Sequence, residues 1–258
     1  MPESPGKHLV RTNDYIYSHQ DVDSSPIVVQ KYKLILFPVP GVGSSDWRRL
    51  ARRLMGFDSW RQKRRQYEGL VFLRDFAPDV ASDLMTRPDY TRAIFVREPK
   101  LRLLAAYFDY VVPDGGYNFR SMCCKAIIHC FKARTVTFDL FADVIRDCDE
   151  PLWRPQASLM EPKYLQYINF VGHYETIRDD AERLLRKLGA WESHGQTGWG
   201  RTKDRPIFSN VTYLSDERMV LDFLHPATEK AVQKLYRADY NAKDLFNLTR
   251  KLKLEPSS

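Results

Sequence analysis

The sequence predicts an α/β fold with a central, largely parallel sheet flanked by helices. Three observations predict it. Short apolar runs without polar alternation occur at Lys33–Val39, Leu70–Leu73, Ala93–Val96 and Tyr167–Val171, amphipathic helical stretches lie between them, and glycine or proline marks their junctions. Runs that do not alternate suit strands covered on both faces, as the strands of parallel sheets are. With 43% hydrophobic and 28% charged residues among 258, the chain can bury a sizeable core, which excludes a disordered tail, a collagen and a small disulfide scaffold.

Taken in order, residues 1–31 are polar and turn-rich and read as an N-terminal arm, leaving 32–258 as a single domain. The strand at Lys33–Val39 runs into the turn Pro40-Gly41-Val42-Gly43. Ser44, Ser45 and Asp46 then supply N-cap chemistry for a helix that stops at Gly56. Leu50, Ala51, Leu54 and Met55 share one face of that helix, and Arg48, Arg49, Arg52 and Arg53 repeat the spacing on another. The strand at Ala93–Val96 leads into Arg97-Glu98-Pro99 and a helix with proline near its first turn. Further helices are expected over Met122–Phe131, Phe138–Arg146, Glu175–Leu188 with Gly189 closing it, and Thr228–Phe246. Parallel sheets bind ligands at the carboxyl ends of their strands, which directs attention to residues 40–47 and 97–102.

The net charge of +7 is concentrated. From Arg48 to Arg65 there are eight basic residues against the single acid Asp58, and the rest of the chain balances. Such a stretch points to an anionic partner. No nucleic-acid fold signature accompanies it, so nucleic acid is not the expected partner. The four cysteines lack C-x-x-C spacing, so no metal site is expected and they read as buried thiols. No run approaches the roughly 18 apolar residues of a membrane span. The chain as it stands is therefore expected to be soluble, without a transmembrane segment.

A strand, a glycine-bearing turn, small hydroxyl residues and a helix start bring backbone N–H groups together at the positive end of a helix dipole, where a phosphate or sulfate can be cradled. Serving only as turn and cap is the other use of the same residues. The loop is not a Walker A motif, because Gly43 stands where the lysine before Ser44 would be, and this disfavours a nucleoside triphosphate kinase.

Four blocks in order, Pro40-Gly-Val-Gly-Ser-Ser-Asp-Trp47, Phe95-Val-Arg-Glu-Pro-Lys-Leu-Arg-Leu-Leu-Ala-Ala-Tyr107, Trp153-Arg-Pro155 and Tyr167-Ile-Asn-Phe-Val-Gly-His-Tyr-Glu-Thr176, resemble the successive motifs of the Golgi-type carbohydrate sulfotransferases, the chondroitin and dermatan sulfotransferases among them. The resemblance runs from about Lys33 to Gly189. It implies a P-loop-kinase-like sulfotransferase fold that uses 3′-phosphoadenosine 5′-phosphosulfate (PAPS) as donor and a hydroxylated acceptor such as a glycan. By this resemblance Gly41, Val42, Gly43, Ser44, Ser45, Asp46 and Trp47 form the phosphosulfate loop and Arg97 is the 3′-phosphate arginine. Arg201 and Lys203 belong to a basic loop over the cofactor's 3′ end. For Arg97 a helix-start ion pair is the other reading.

The sequence departs from the family at Gly41, where a lysine bridges donor sulfate and leaving phosphate, at Ala105 in place of a serine, and at Leu152 in place of a histidine. Met160 and Lys163 replace a cysteine pair. Two readings of function follow, a PAPS-dependent sulfotransferase and a silent relative that binds a nucleotide or sulfated glycan. In the first, Arg48 is the candidate to replace the lysine cation and Glu68 the candidate general base. The family's Golgi members carry an N-terminal anchor, and the sequence leaves the compartment open between the cytoplasm and, if an anchor has been removed, the Golgi lumen.

Overall fold

The computed structural model describes residues 26–62, 67–110, 137–147, 150–160, 162–199, 205–209, 223, 225–242 and 246–248. The chain divides into two compact units, one of Met1–Val96 with Leu159–Thr212 and the other of Arg97–Ser158 with Tyr213–Ser258.

The first unit holds a four-stranded sheet in the order β1-β2-β3-β4. It begins with β1 (Ile27–Val29), which pairs antiparallel with β2 (Leu34–Phe37) in the register Val28 with Ile35. Three apolar residues too short to register as a strand in the polar arm thus form the sheet's first strand. The connection between them is tight enough to put Lys33 at φ 49, and the Lys33 amide donates to the Gln30 carbonyl at 3.0 Å. After β2 come the glycine turn and α1 (Ser44–Leu54), whose apolar face, Leu50, Ala51 and Leu54, is buried. Then α2 (Pro78–Thr86) leads to β3 (Thr91–Val96), parallel to β2 with Leu36 opposite Ala93.

The second unit contains α3 (Pro99–Tyr110) and α4 (Phe138–Val144). Phe138 and Phe141 of α4 close on Tyr107 of α3 with ring centroids 5.4 and 5.6 Å apart, a paired-aromatic core. The chain returns to the first unit through the short α5 (Pro162–Leu165), β4 (Phe170–His173) and α6 (Ile177–Lys187). β4 runs parallel to β3, pairing Val96 with His173. Gly172 is required there, because a Cβ would lie 2.3 Å from the Phe95 ring. The second unit ends with α7 (Pro226–Leu235) and α8 (Arg237–Asn241).

The mixed α/β class and mostly parallel sheet agree with the expectation, and three elements correct it. The run Leu70–Leu73 is not a sheet strand: it makes one bridge, Phe72 to Ile27, and then coils into a 3-10 turn at Leu73–Asp75. The Asp75 carboxylate accepts from the Phe72 amide at 2.8 Å and terminates the extended stretch. The fourth strand starts at Phe170 instead of Tyr167. The Asn169 side chain accepts from the Arg92 amide at 2.8 Å and donates to the Tyr90 carbonyl at 2.9 Å, standing in for strand pairing before β4 begins. The last expected helix breaks at Tyr236, which is fully buried and donates its hydroxyl to the Trp153 carbonyl at 2.7 Å. The expected helix Met122–Phe131 lies outside the described residues. No helix among the described residues is long and apolar enough to cross a membrane.

Candidate functional site

Because β2, β3 and β4 are parallel, their carboxyl ends share one edge of the sheet, and the loop Pro38–Gly43 leaves β2 at that edge. Its path is set by backbone conformation. Gly41 has φ 79 and Gly43 φ 68, both in the left-handed region that side chains disfavour, and the Val42 amide closes the turn on the Val39 carbonyl at 3.1 Å. Gly43 is the N-cap of α1 and offers no side-chain acceptor. The amides of Asp46 and Trp47 return to the Gly43 carbonyl, each at 3.0 Å, while those of Ser44 and Ser45 carry no backbone partner among the described residues.

Trp47 fixes the first turn of α1 in the core. It is 3% exposed, and its ring lies 4.0 Å from Phe95 and 4.8 Å from Phe208, centroid to centroid. Its indole Nε1 is buried and has no hydrogen-bond acceptor among the described residues. Asp46 pairs with Arg49 at 2.9 Å.

The arginine stripe of α1 is not a solvated face. Arg48 and Arg52 are only 2% and 1% exposed, and each arginine has a structural engagement. Arg48 lies over the Tyr67 ring at 4.9 Å, and Glu68, the next residue after that tyrosine, is exposed. Arg49 covers Trp199 at 3.7 Å. Arg52 donates to Ser59 Oγ at 2.8 Å. Arg53 donates to the carbonyls of His194 and Gly198 at 2.8 and 2.6 Å and to Thr197 Oγ1 at 2.7 Å, tying the helix to the turn that follows α6. Burial, followed by the neighbouring Arg61 charge, lowers the Arg53 pKa, and its carbonyl partners hold the cation in place. Arg201 and Lys203 follow that turn and lie outside the described residues.

In the second unit, Arg97 is the residue directly after β3 and is 4% exposed. Its backbone is held by Gln156: the Arg97 amide donates to Gln156 Oε1 at 2.9 Å, and Gln156 Nε2 donates to the Arg97 carbonyl at 2.8 Å. Glu98 caps α3. Its Oε2 accepts from the Leu101 amide at 3.0 Å and its Oε1 from the Tyr240 hydroxyl at 2.6 Å. Burial pushes the Glu98 carboxyl above the ordinary carboxylate range, opposed by those hydrogen bonds. Arg102, fully buried, donates to the carbonyls of Arg154 and Pro151 at 2.7 and 2.6 Å and so anchors the Trp153-Arg-Pro155 block. Trp153 meets Phe141 edge to face at 5.6 Å.

Within the first unit the structure thus gathers Gly41, Val42, Gly43, Ser44, Ser45, Asp46, Trp47 and Arg48 into one loop and helix start. Gln156 and Asp239, which hold the backbone around Arg97, are not flagged by any motif chemistry. The only signal in the sequence is that Gln156 directly follows the Trp153-Arg-Pro155 block.

Comparison with known proteins places these elements in a family. The profile of the sulfotransferase family matches residues 25–247. Carbohydrate sulfotransferase 9 of Homo sapiens is 27% identical over 260 residues, covering 94% of this chain and 55% of that protein. Carbohydrate sulfotransferase 14 of Homo sapiens is 31% identical over 179 residues, covering 64% of this chain and 46% of that protein. Carbohydrate sulfotransferase 11 of Danio rerio is 26% identical over 245 residues, with 83% and 65% covered. The chain spans about half the length of the first of these relatives. No solved structure matches it significantly. With a family match that spans residues 25–247 and so covers most of both units, the chain belongs to the sulfotransferase family.

Proposed function

We propose that this protein transfers a sulfuryl group from PAPS to a hydroxyl of a carbohydrate acceptor. The observation that carries the proposal is the loop Pro40–Trp47 at the carboxyl edge of the parallel sheet, in a chain whose relatives are named carbohydrate sulfotransferases. An anionic donor fits the loop on this structure's own features. The Ser44 and Ser45 amides open the helix, Trp47 Nε1 is a buried donor without an acceptor among the described residues, and two glycines at positive φ turn the backbone.

PAPS supplies an activated sulfuryl group whose bond to the 5′-phosphate breaks as the acceptor oxygen bonds to sulfur. By the family resemblance the loop residues Gly41 to Trp47 would hold the phosphosulfate and Arg97 the 3′-phosphate, with Arg201 and Lys203 as further candidates for that phosphate. A guanidinium matches phosphate geometry through paired N–H donors. Arg48, on α1 just past the loop, supplies positive charge where Gly41 has replaced the lysine. Glu68 takes the acceptor's proton, for which its exposed position leaves it accessible.

One observation favours the second reading, binding without turnover. Gly41 sits at φ 79, so the loop is built around a residue that a lysine could replace only with strain. Transfer of labelled sulfate to a panel of glycan acceptors separates the two. Turnover that falls about 100-fold in Arg48→Ala and comparably in Glu68→Gln is expected for the enzyme. No transfer by the wild type, with binding of adenosine 3′,5′-bisphosphate intact, establishes the silent relative. Calorimetry in which Arg97→Ala binds that nucleotide as tightly as wild type would sink the assignment of Arg97.

A further inference from the structure

At Val96 the sheet ends, and Arg97 is the first residue beyond its pairing. Its N–H and C=O are nonetheless both satisfied, by the two ends of one side-chain amide, Gln156. Gln156 acts as a one-residue strand that extends the pairing of the backbone by a single step. The amide has only one workable orientation. Its Nε2 also donates to Asp239 Oδ2 at 3.3 Å, and Asp239 Oδ1 accepts from the Ala157 amide at 2.7 Å. Flipping the amide would set its oxygen against the Arg97 carbonyl and the Asp239 carboxylate, and its NH2 against the Arg97 amide. Gln156 and Asp239 are both fully buried, so water cannot replace either partner.

We infer that Gln156, held by Asp239, is a positioning residue for Arg97, fixing the backbone from which the guanidinium reaches the 3′-phosphate of the donor. The inference rests on the reading of Arg97 given above. Its physical content is preorganisation. A guanidinium on a backbone clamped at both polar groups loses little freedom on binding, while the same side chain on an unclamped residue must be ordered by the ligand. Asp239 is suited to the task as a carboxylate because it must accept on both oxygens. An asparagine would turn an NH2 toward either the Ala157 amide or the Gln156 NH2.

The test is calorimetric and compares two nucleotides on the full chain, adenosine 3′,5′-bisphosphate and adenosine 5′-phosphate, the second lacking only the group Arg97 would bind. Gln156→Met keeps the side chain's bulk and removes both hydrogen-bonding ends. It is expected to weaken the bisphosphate about tenfold, the scale of one displaced charge-assisted hydrogen bond, and to leave adenosine 5′-phosphate unchanged. Asp239→Asn should give a smaller loss with the same selectivity. Adding Gln156→Met to Arg97→Ala should cost nothing further. Loss of both nucleotides alike, or of neither, overturns the proposal, since a clamp that merely supports the fold would not discriminate the 3′-phosphate. If Arg97→Ala leaves bisphosphate affinity intact while Gln156→Met reduces it, the reading of Arg97 fails, and the inference about Gln156 fails with it. If Arg97→Ala weakens the bisphosphate and Gln156→Met does not, only the positioning role fails.

Discussion

Single residues of the loop are governed by backbone conformation before side-chain chemistry. Gly41 is the residue where this chain parts from the lysine of its family, and its φ of 79 gives the substitution a conformational side as well as a chemical one. In the left-handed region a Cβ costs about 1 kcal/mol. Gly41→Ala and Gly41→Lys are both expected to lower stability by about 1 kcal/mol, nearly equally, because the cost arises at the Cβ that both introduce. Urea denaturation midpoints for the two variants measure it. A Gly41→Lys chain as stable as wild type would mean that the loop adopts a second conformation readily. The glycine turn itself was legible in the sequence, since Pro40-Gly41-Val42-Gly43 between an apolar run and a helix cap has few other uses. Which glycine needs positive φ was not, because both do, and only dihedral angles distinguish a required glycine from an incidental one.

At the scale of elements, α1 shows how a charged stripe can belong to the interior. Four arginines at helical spacing look solvated, yet their planar donors reach carbonyls and aromatic faces that come from distant parts of the chain. Arg53 bonds residues more than a hundred positions away in sequence, so no local pattern announces it. Arg53→Ala is expected to destabilise the turn at Trp191–Gly198 by about 2 kcal/mol, the scale of hydrogen bonds to a charged group after relaxation. Faster amide hydrogen exchange across residues 193–198, with β2 and β3 unaffected, is the measurement. Arg53→Lys should rescue little, because one ammonium cannot reproduce a fork that serves two carbonyls and a hydroxyl. Side-chain hydrogen bonds also explain the misplaced strands. Leu70–Leu73 has strand composition, and Asp75 capping Phe72 decides against it. Tyr167–Val171 has strand composition too, and the Asn169 side chain occupies the pairing positions before Phe170. The helix through Tyr236 follows the expected periodicity until a buried hydroxyl finds the Trp153 carbonyl. In each case a side-chain hydrogen bond to a backbone group outweighed the strand or helix preference, a local one for Asp75 and remote ones for Asn169 and Tyr236.

For the whole molecule, the titration of buried acids ties stability to pH. Burial raises the folded-state pKa of Glu98 and of Asp239, so the folded chain holds those protons more tightly than the unfolded chain does. Their contribution is therefore fully present below the ordinary carboxylate pKa and is lost as pH rises through the folded-state values. Glu98→Gln should remove the Glu98 share of that slope. Relative to the variant, the wild type is expected to lose stability as pH is raised from 4 to 7, which denaturation midpoints across that range will check. The concentrated charge divides along similar lines. The sequence alone determined that seven net positive charges fall between Arg48 and Arg65, that parallel strands alternate with helices, and that a glycine loop precedes a helix start, because composition, periodicity and turn chemistry are local properties. Only the tertiary structure decided that Arg48 and Arg52 are buried, that Arg53 bonds the turn after α6, and that the Arg97 backbone is held by Gln156, itself fixed by Asp239. Those outcomes depend on which carbonyls and carboxylates the fold brings within about 3 Å of a donor, a distance that sequence separation does not encode.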